Sequence, residues 1–103
     1  MSTYIFKRDR EFMKKLQIAI NDATGVDRDE YLEEKSIKSI HVAARNIWIY
    51  EVYKNTMLTI EDIAEYIDRH HSNVVRSIKK VQKWKRTKCR EKEIIKEIEL
   101  KIK

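Results

Sequence analysis

Proline is absent from this chain of 103 residues, and glycine and cysteine occur once each. With Gly25 alone, the two glycines that precede Lys-Ser/Thr in a phosphate-binding loop cannot be supplied, which argues against an ATPase of that type. So few turn residues beside so many Ile, Leu, Glu and Lys exclude a turn-rich β fold and point to an all-α chain. A single cysteine, Cys89, excludes an internal disulfide and suits a reducing cytoplasm. Long apolar runs are missing too. The cluster Ile47-Trp48-Ile49-Tyr50 is far too short to span a bilayer, and no charged leader with a long apolar run opens the chain, so a soluble cytoplasmic protein is expected. The length fits one domain with a real core.

Acidic residues are scarce in one region. Between Arg69 and Lys92, ten lysines and arginines face the single acid Glu91, while the rest of the chain is slightly acidic. The formal net charge of +6 and the pI near 9.4 therefore belong to one element, the footprint expected of a phosphate-binding face. The bland alternative is a solvated helix face, although few are so one-sided.

That element begins within 58–85, where two helical stripes are joined tightly. Ile60, Ile63, Ala64 and Ile67 keep the i, i+3, i+4, i+7 spacing, with Thr59 as a cap and Leu58 able to staple against Ile63. No apolar residue continues the stripe through Asp68-Arg69-His70, where a turn fits. From Ser72 the pattern resumes as Val74, Ile78 and Val81, with Asn73, Arg76, Lys80 and Lys83 on the other side. This is the outline of a helix-turn-helix, whose second helix enters the major groove. Asn can pair with adenine and Arg with guanine through two atoms each, and a hydroxyl can serve base or phosphate.

Elsewhere Phe12, Leu16, Ala19, Ile20 and Ala23 form a first stripe that Gly25 would end as a left-handed cap. A short helix follows, with Asp27 and Glu30 as a capping box and Val26 stapled to Tyr31. Residues 35–41 read as a connecting loop. A long helix over about 42–55 is apolar on so many sides that several neighbours should contact it. Ile94, Ile95, Ile98 and Ile102 mark a last helix over about 90–102, which could fold back, extend the recognition helix or pack on a second copy. The count is about six helices.

Laid side by side, Arg69-His70-His71-Ser72-Asn73-Val74, Gly25-Val26 with Tyr31-Leu32, Lys35-Ser36, Ala44-Arg45-Asn46-Ile47 with Tyr50, and Leu58 to Ala64 resemble the C-terminal DNA-binding domain of the bacterial replication initiator DnaA. The family's recognition helix starts Arg-Asp-His-(Ser/Thr)-Thr-Val, and the likeness runs from Phe12 nearly to the end of the chain. It implies a monomeric module that binds double-stranded DNA, with a basic loop in the minor groove. The residues so assigned to DNA are Lys35 and Lys38 of that loop, Arg45, Thr59, Arg69, His70, His71, Ser72, Asn73, Arg76 and Lys80. There are departures. His70 replaces an acid, Asn73 replaces a Thr, Ile37 falls where an Arg would enter the minor groove, and Asp68 stands alone where many members have Gly-Gly. Duplex binding without preference for the initiator's own box is the expectation.

Other readings are weaker. His41, His70, His71 and Cys89 match no familiar zinc spacing, so neither metal nor cofactor is expected. Ser72 beside His71 lacks an acid partner and an oxyanion pocket, so no enzyme is expected. Trp48, Tyr50, Tyr53, Tyr66 and Trp84 read as core before they read as stacking platforms. His70 and His71, as DNA-facing groups, would raise affinity as pH falls through about 6.5. Two rivals remain: a helical module that binds a replication protein, and a dimeric repressor of the Trp-repressor type paired through its first and last helices.

Overall fold

The computed structural model describes residues 5–33 and 38–103, and every regular element among them is helical. Lys35, Ser36 and Ile37, part of the expected basic loop, lie outside the described residues.

Helix α1 spans Lys7–Thr24 and buries Met13, Leu16, Ala19 and Ile20 along one side. Gly25 ends it at φ 73°, donating its N–H to the Asn21 carbonyl at 2.7 Å. No atom lies within 4 Å of where a Cβ would stand, so backbone conformation rather than space calls for glycine there. Asp9, near the start of α1, is buried and accepts the Met57 N–H at 3.1 Å, which pins this helix to the chain leaving α2.

A five-residue π-helical turn, Asp29–Glu33, follows. Half of the expected capping box forms: the Asp27 N–H donates to Glu30 Oε1 at 3.1 Å, while the Asp27 carboxylate accepts from Asn21 instead. Val26 and Tyr31 are both buried.

Helix α2, Ser39–Asn55, begins three residues before the expected start at Val42. Its first turn was hard to read because its packing is long-range: Ser39 accepts from Arg90, and His41, buried, stands 3.4 Å from Glu30. Every residue from Ala43 to Val52 is buried, and α2 packs against α1, the π-turn, α3 and α4. The expected central helix is therefore real.

Helices α3, Ile60–Tyr66, and α4, His71–Arg86, follow, and α5, Arg90–Lys101, folds back onto α1 and α4 with Ile95 and Ile98 buried. Of the three placements open to the last helix, this is the first. One continuous apolar core joins all five helices. The aromatic residues divide: Trp48 and Tyr50 are buried and Trp84 half-buried, but Tyr53 and Tyr66 are 42% and 38% exposed. Tyr66 stacks on Trp48 with ring centroids 5.8 Å apart, and Arg28 lies over its ring.

Candidate nucleic-acid interface

The connection from α3 to α4 is built from backbone bonds. Asp68 N–H donates to Glu65 O at 3.3 Å and Arg69 N–H to Ala64 O at 2.9 Å. These are the paired bonds of a Schellman motif, which needs a left-handed residue at the position that Asp68 occupies with φ 54°. Aspartate tolerates this region better than most residues, so one residue turns the chain.

At the other end of the turn His70 caps α4. Its Nδ1 accepts the Ser72 N–H at 3.1 Å and lies 2.8 Å from the Ser72 hydroxyl. The capping bond requires an unprotonated Nδ1, which places the ring hydrogen on Nε2. His70 thus offers a donor. A proton on Nδ1 would add charge but remove the cap, so only His71 can gain charge without disturbing the start of α4. Its ring lies 4.3 Å from that of His70.

Thr59 caps α3 through a reciprocal pair with Asp62: its Oγ1 accepts the Asp62 N–H at 3.1 Å, and Asp62 Oδ2 accepts the Thr59 N–H at 3.0 Å. Its hydroxyl keeps a hydrogen to donate, and the residue is exposed. Lys38 is the exposed N-cap of α2, and Lys35 lies outside the described residues.

Five of the expected residues come together. Arg45, Arg69, Asn73, Arg76 and Lys80 line one open groove of about 360 Å³ between α2 and α4, with no acid in its lining. Arg45 is only 9% exposed and is held from behind, its Nε donating to the Tyr31 carbonyl of the π-turn at 2.7 Å. Burial, and next the charge of Arg69, lower its pKa from the ordinary arginine value, although so basic a group stays cationic. The Arg69 Nε is buried with no hydrogen-bond partner. Among the described residues Arg69, Arg76 and Lys80 form no ion pair. A groove lined by four cations and by no acid makes a site for an anion.

No family model, curated protein or solved structure matches the chain.

One lining residue, Ser77, escaped the sequence reading, and Asn46 entered it only through the family likeness. Ser77, buried on the inner side of α4, donates its hydroxyl to Asn46 Oδ1 of α2 at 2.7 Å. This bond fixes the rotation of α4 and hence which side chains face outward. A signal was available, since Ser77 sits on the same side of the helix as Val74, Ile78 and Val81, and a hydroxyl at a core position needs a partner. His70, His71 and Ser72 are placed at the start of α4, outside the groove lining, while Thr59 stands at the start of α3.

Proposed function

We propose that this chain binds duplex DNA, with the outer face of α4 in the major groove and the groove of Arg45, Arg69, Arg76 and Lys80 on the phosphate backbone. The observation that carries the reading is a cationic groove with no acid in its lining, beside a capped helix whose first turns expose His71, Asn73 and Arg76. Cations near phosphates release counterions and supply affinity, while Asn73 and Arg76 have the donors and acceptors to read base edges.

The resemblance to the DnaA C-terminal domain supports the same face and a role for a free-standing module in replication control or transcription regulation. Its departures fall on the reading residues. His70 would present an N–H donor where the family has an acid that accepts, and each altered base contact changes discrimination by about 1 to 3 kcal/mol. The initiator's own box is therefore not the preferred site.

A monomer fits better than a repressor-type dimer. The apolar faces of α1 and α5, which such a dimer would share, pack on each other within the chain. Among the described residues no helix is long and apolar enough to cross a membrane.

Labelled duplexes, one with the initiator box and one scrambled, test the reading over a salt series with wild type and the Arg69→Ala/His71→Ala/Arg76→Ala variant. Affinity should fall steeply with salt, and the variant should bind more weakly with a log–log slope shallower by about 2, the two arginines lost. Absence of binding by wild type at low salt would overturn the proposal and favour a protein partner.

A further inference from the structure

The lysines of the C-terminal half do not all lie on the DNA-facing side. At 100° per residue, Asn73, Arg76, Lys80 and Lys83 share one side of α4, whereas Lys85 falls roughly opposite, with Val74, Ile78 and Val81. There it donates to Glu99 at 3.0 Å and to the Tyr50 hydroxyl at 3.4 Å. Beside it a second groove, of about 380 Å³, opens between α4 and α5, lined by Lys92, Ile95, Lys96, Leu100 and Lys103.

This groove differs in kind from the first. Its lining joins lysine side chains to an apolar patch, in which Leu100 is 62% exposed, a large apolar side chain left in solvent. Glu99, the one acid in the lining, is taken by Lys85. Lys92, Lys96 and Lys103 are exposed and form no ion pair among the described residues. Their stems can extend the apolar surface while their ammonium groups stay wet.

Three occupants fit poorly. A second copy of the same face would set lysine against lysine. A bilayer needs a broad apolar stripe, whereas Ile95 and Ile98 are already buried in the core and Leu100 alone remains to insert. DNA would gain phosphate contacts but nothing from an apolar lining. What matches both features is a ligand with carboxylates around an apolar side chain. From Lys92 to Leu100 the face runs about 12 Å along α5, just over two turns, the reach of a short helix laid in a groove.

We infer that the α5 groove docks an acidic amphipathic helix of a partner protein, with an apolar residue against Leu100 and the lysine stems around it and carboxylates facing Lys92, Lys96 and Lys103. Such a partner would bind on the side away from the DNA-facing groove, leaving the outer face of α4 open.

A phage-displayed library of random peptides, panned on the full chain, tests this. Enriched peptides should show acids and apolar residues at helical spacing and should lose affinity about tenfold or more for Leu100→Asp and for Lys92→Glu/Lys96→Glu. Since all three positions are exposed, both variants should keep the wild-type circular dichroism. A duplex competitor should not displace the peptides. The inference is overturned by no enrichment, by peptides without that pattern, by equal binding to Leu100→Asp, or by displacement with duplex. Leu100-dependent binding to phosphatidylserine vesicles, with no peptide selected, would assign the face to membranes instead.

Discussion

Glu51 puts a carboxyl group in the middle of the most buried helix, and its ionisation should set how stability depends on pH. The residue is 1% exposed. Its Oε1 accepts from Asn55 Nδ2 at 3.0 Å, while Oε2 is buried without a partner of ordinary geometry, in the neighbourhood of Glu99. Burial first, and the neighbouring Glu99 carboxyl next, push Glu51 up from the ordinary 4.5 to about 8, with Lys85 and Lys54 opposing. Between these two values the folded chain holds a proton that the unfolded chain has released. Stability must then fall as pH rises, by up to about 1.4 kcal/mol per pH unit. Across the window this amounts to roughly 3 to 5 kcal/mol, a large share of the 5 to 15 kcal/mol typical of a domain. Glu99, whose carboxyl is held below its ordinary value, acts in the opposite sense and at more acid pH, so it does not cancel this slope.

Glu51→Gln isolates the effect, because an amide copies the shape and hydrogen-bonding capacity of the protonated acid. Urea unfolding followed by far-UV circular dichroism, from about pH 5 to about pH 8, should show wild type losing stability while the variant loses much less. The two should be nearly equal at the acid end, with the variant the more stable at the alkaline end. The difference between the two proteins is the informative quantity, because every ionisation they share cancels in it. Identical slopes would refute the reasoning, as would a wild type whose stability rises from pH 5 to pH 8.

Two further substitutions address the geometry of the α3–α4 unit. Asp68→Val should cost about 1 to 2 kcal/mol, because a β-branched residue is strained at positive φ, whereas Asp68→Gly should cost little or nothing; equal losses in urea titrations would mean that the left-handed turn is not what matters. Ser77→Ala leaves Asn46 Oδ1 buried without its donor and should cost about 1 to 3 kcal/mol, with a double-mutant cycle against Asn46→Ala showing coupling between the two; additive effects would mean that the bond contributes nothing.

Features carried by periodicity were legible in the sequence, and features carried by long-range contact were not. The stripes of α1 and α4 and the left-handed Gly25 follow from local spacing and one residue's special backbone. The start of α2 escaped because Ser39 and His41 owe their places to Arg90 and Glu30, which no local pattern relates to them. Asp9 was missed for the same reason, since its partner Met57 is far along the chain. Glu51 left a trace, an acid inside an apolar helix, but its neighbour Glu99 lies on another element. Within the candidate site, the residue types could be listed from sequence, yet their convergence could not. Arg45 is held at the groove by the π-turn carbonyl of Tyr31, a contact that no local pattern announces.

The basic run from Arg69 to Lys92 shows most clearly what folding adds. As a sequence it resembles one cationic face, but the break at Thr87 to Cys89 and the return of α5 divide it. Arg69, Arg76 and Lys80 go to the groove between α2 and α4, whereas Lys85 turns inward to Glu99 and Lys92 joins the groove along α5. Charge within reach of one phosphate backbone is thus smaller than the sequence total implies. A salt dependence for duplex binding that matched all ten basic residues of this run would contradict that division, because the lysines of the α5 groove would then have to reach the same DNA as Arg76. A slope corresponding to about four phosphates would agree with Arg45, Arg69, Arg76 and Lys80 acting together.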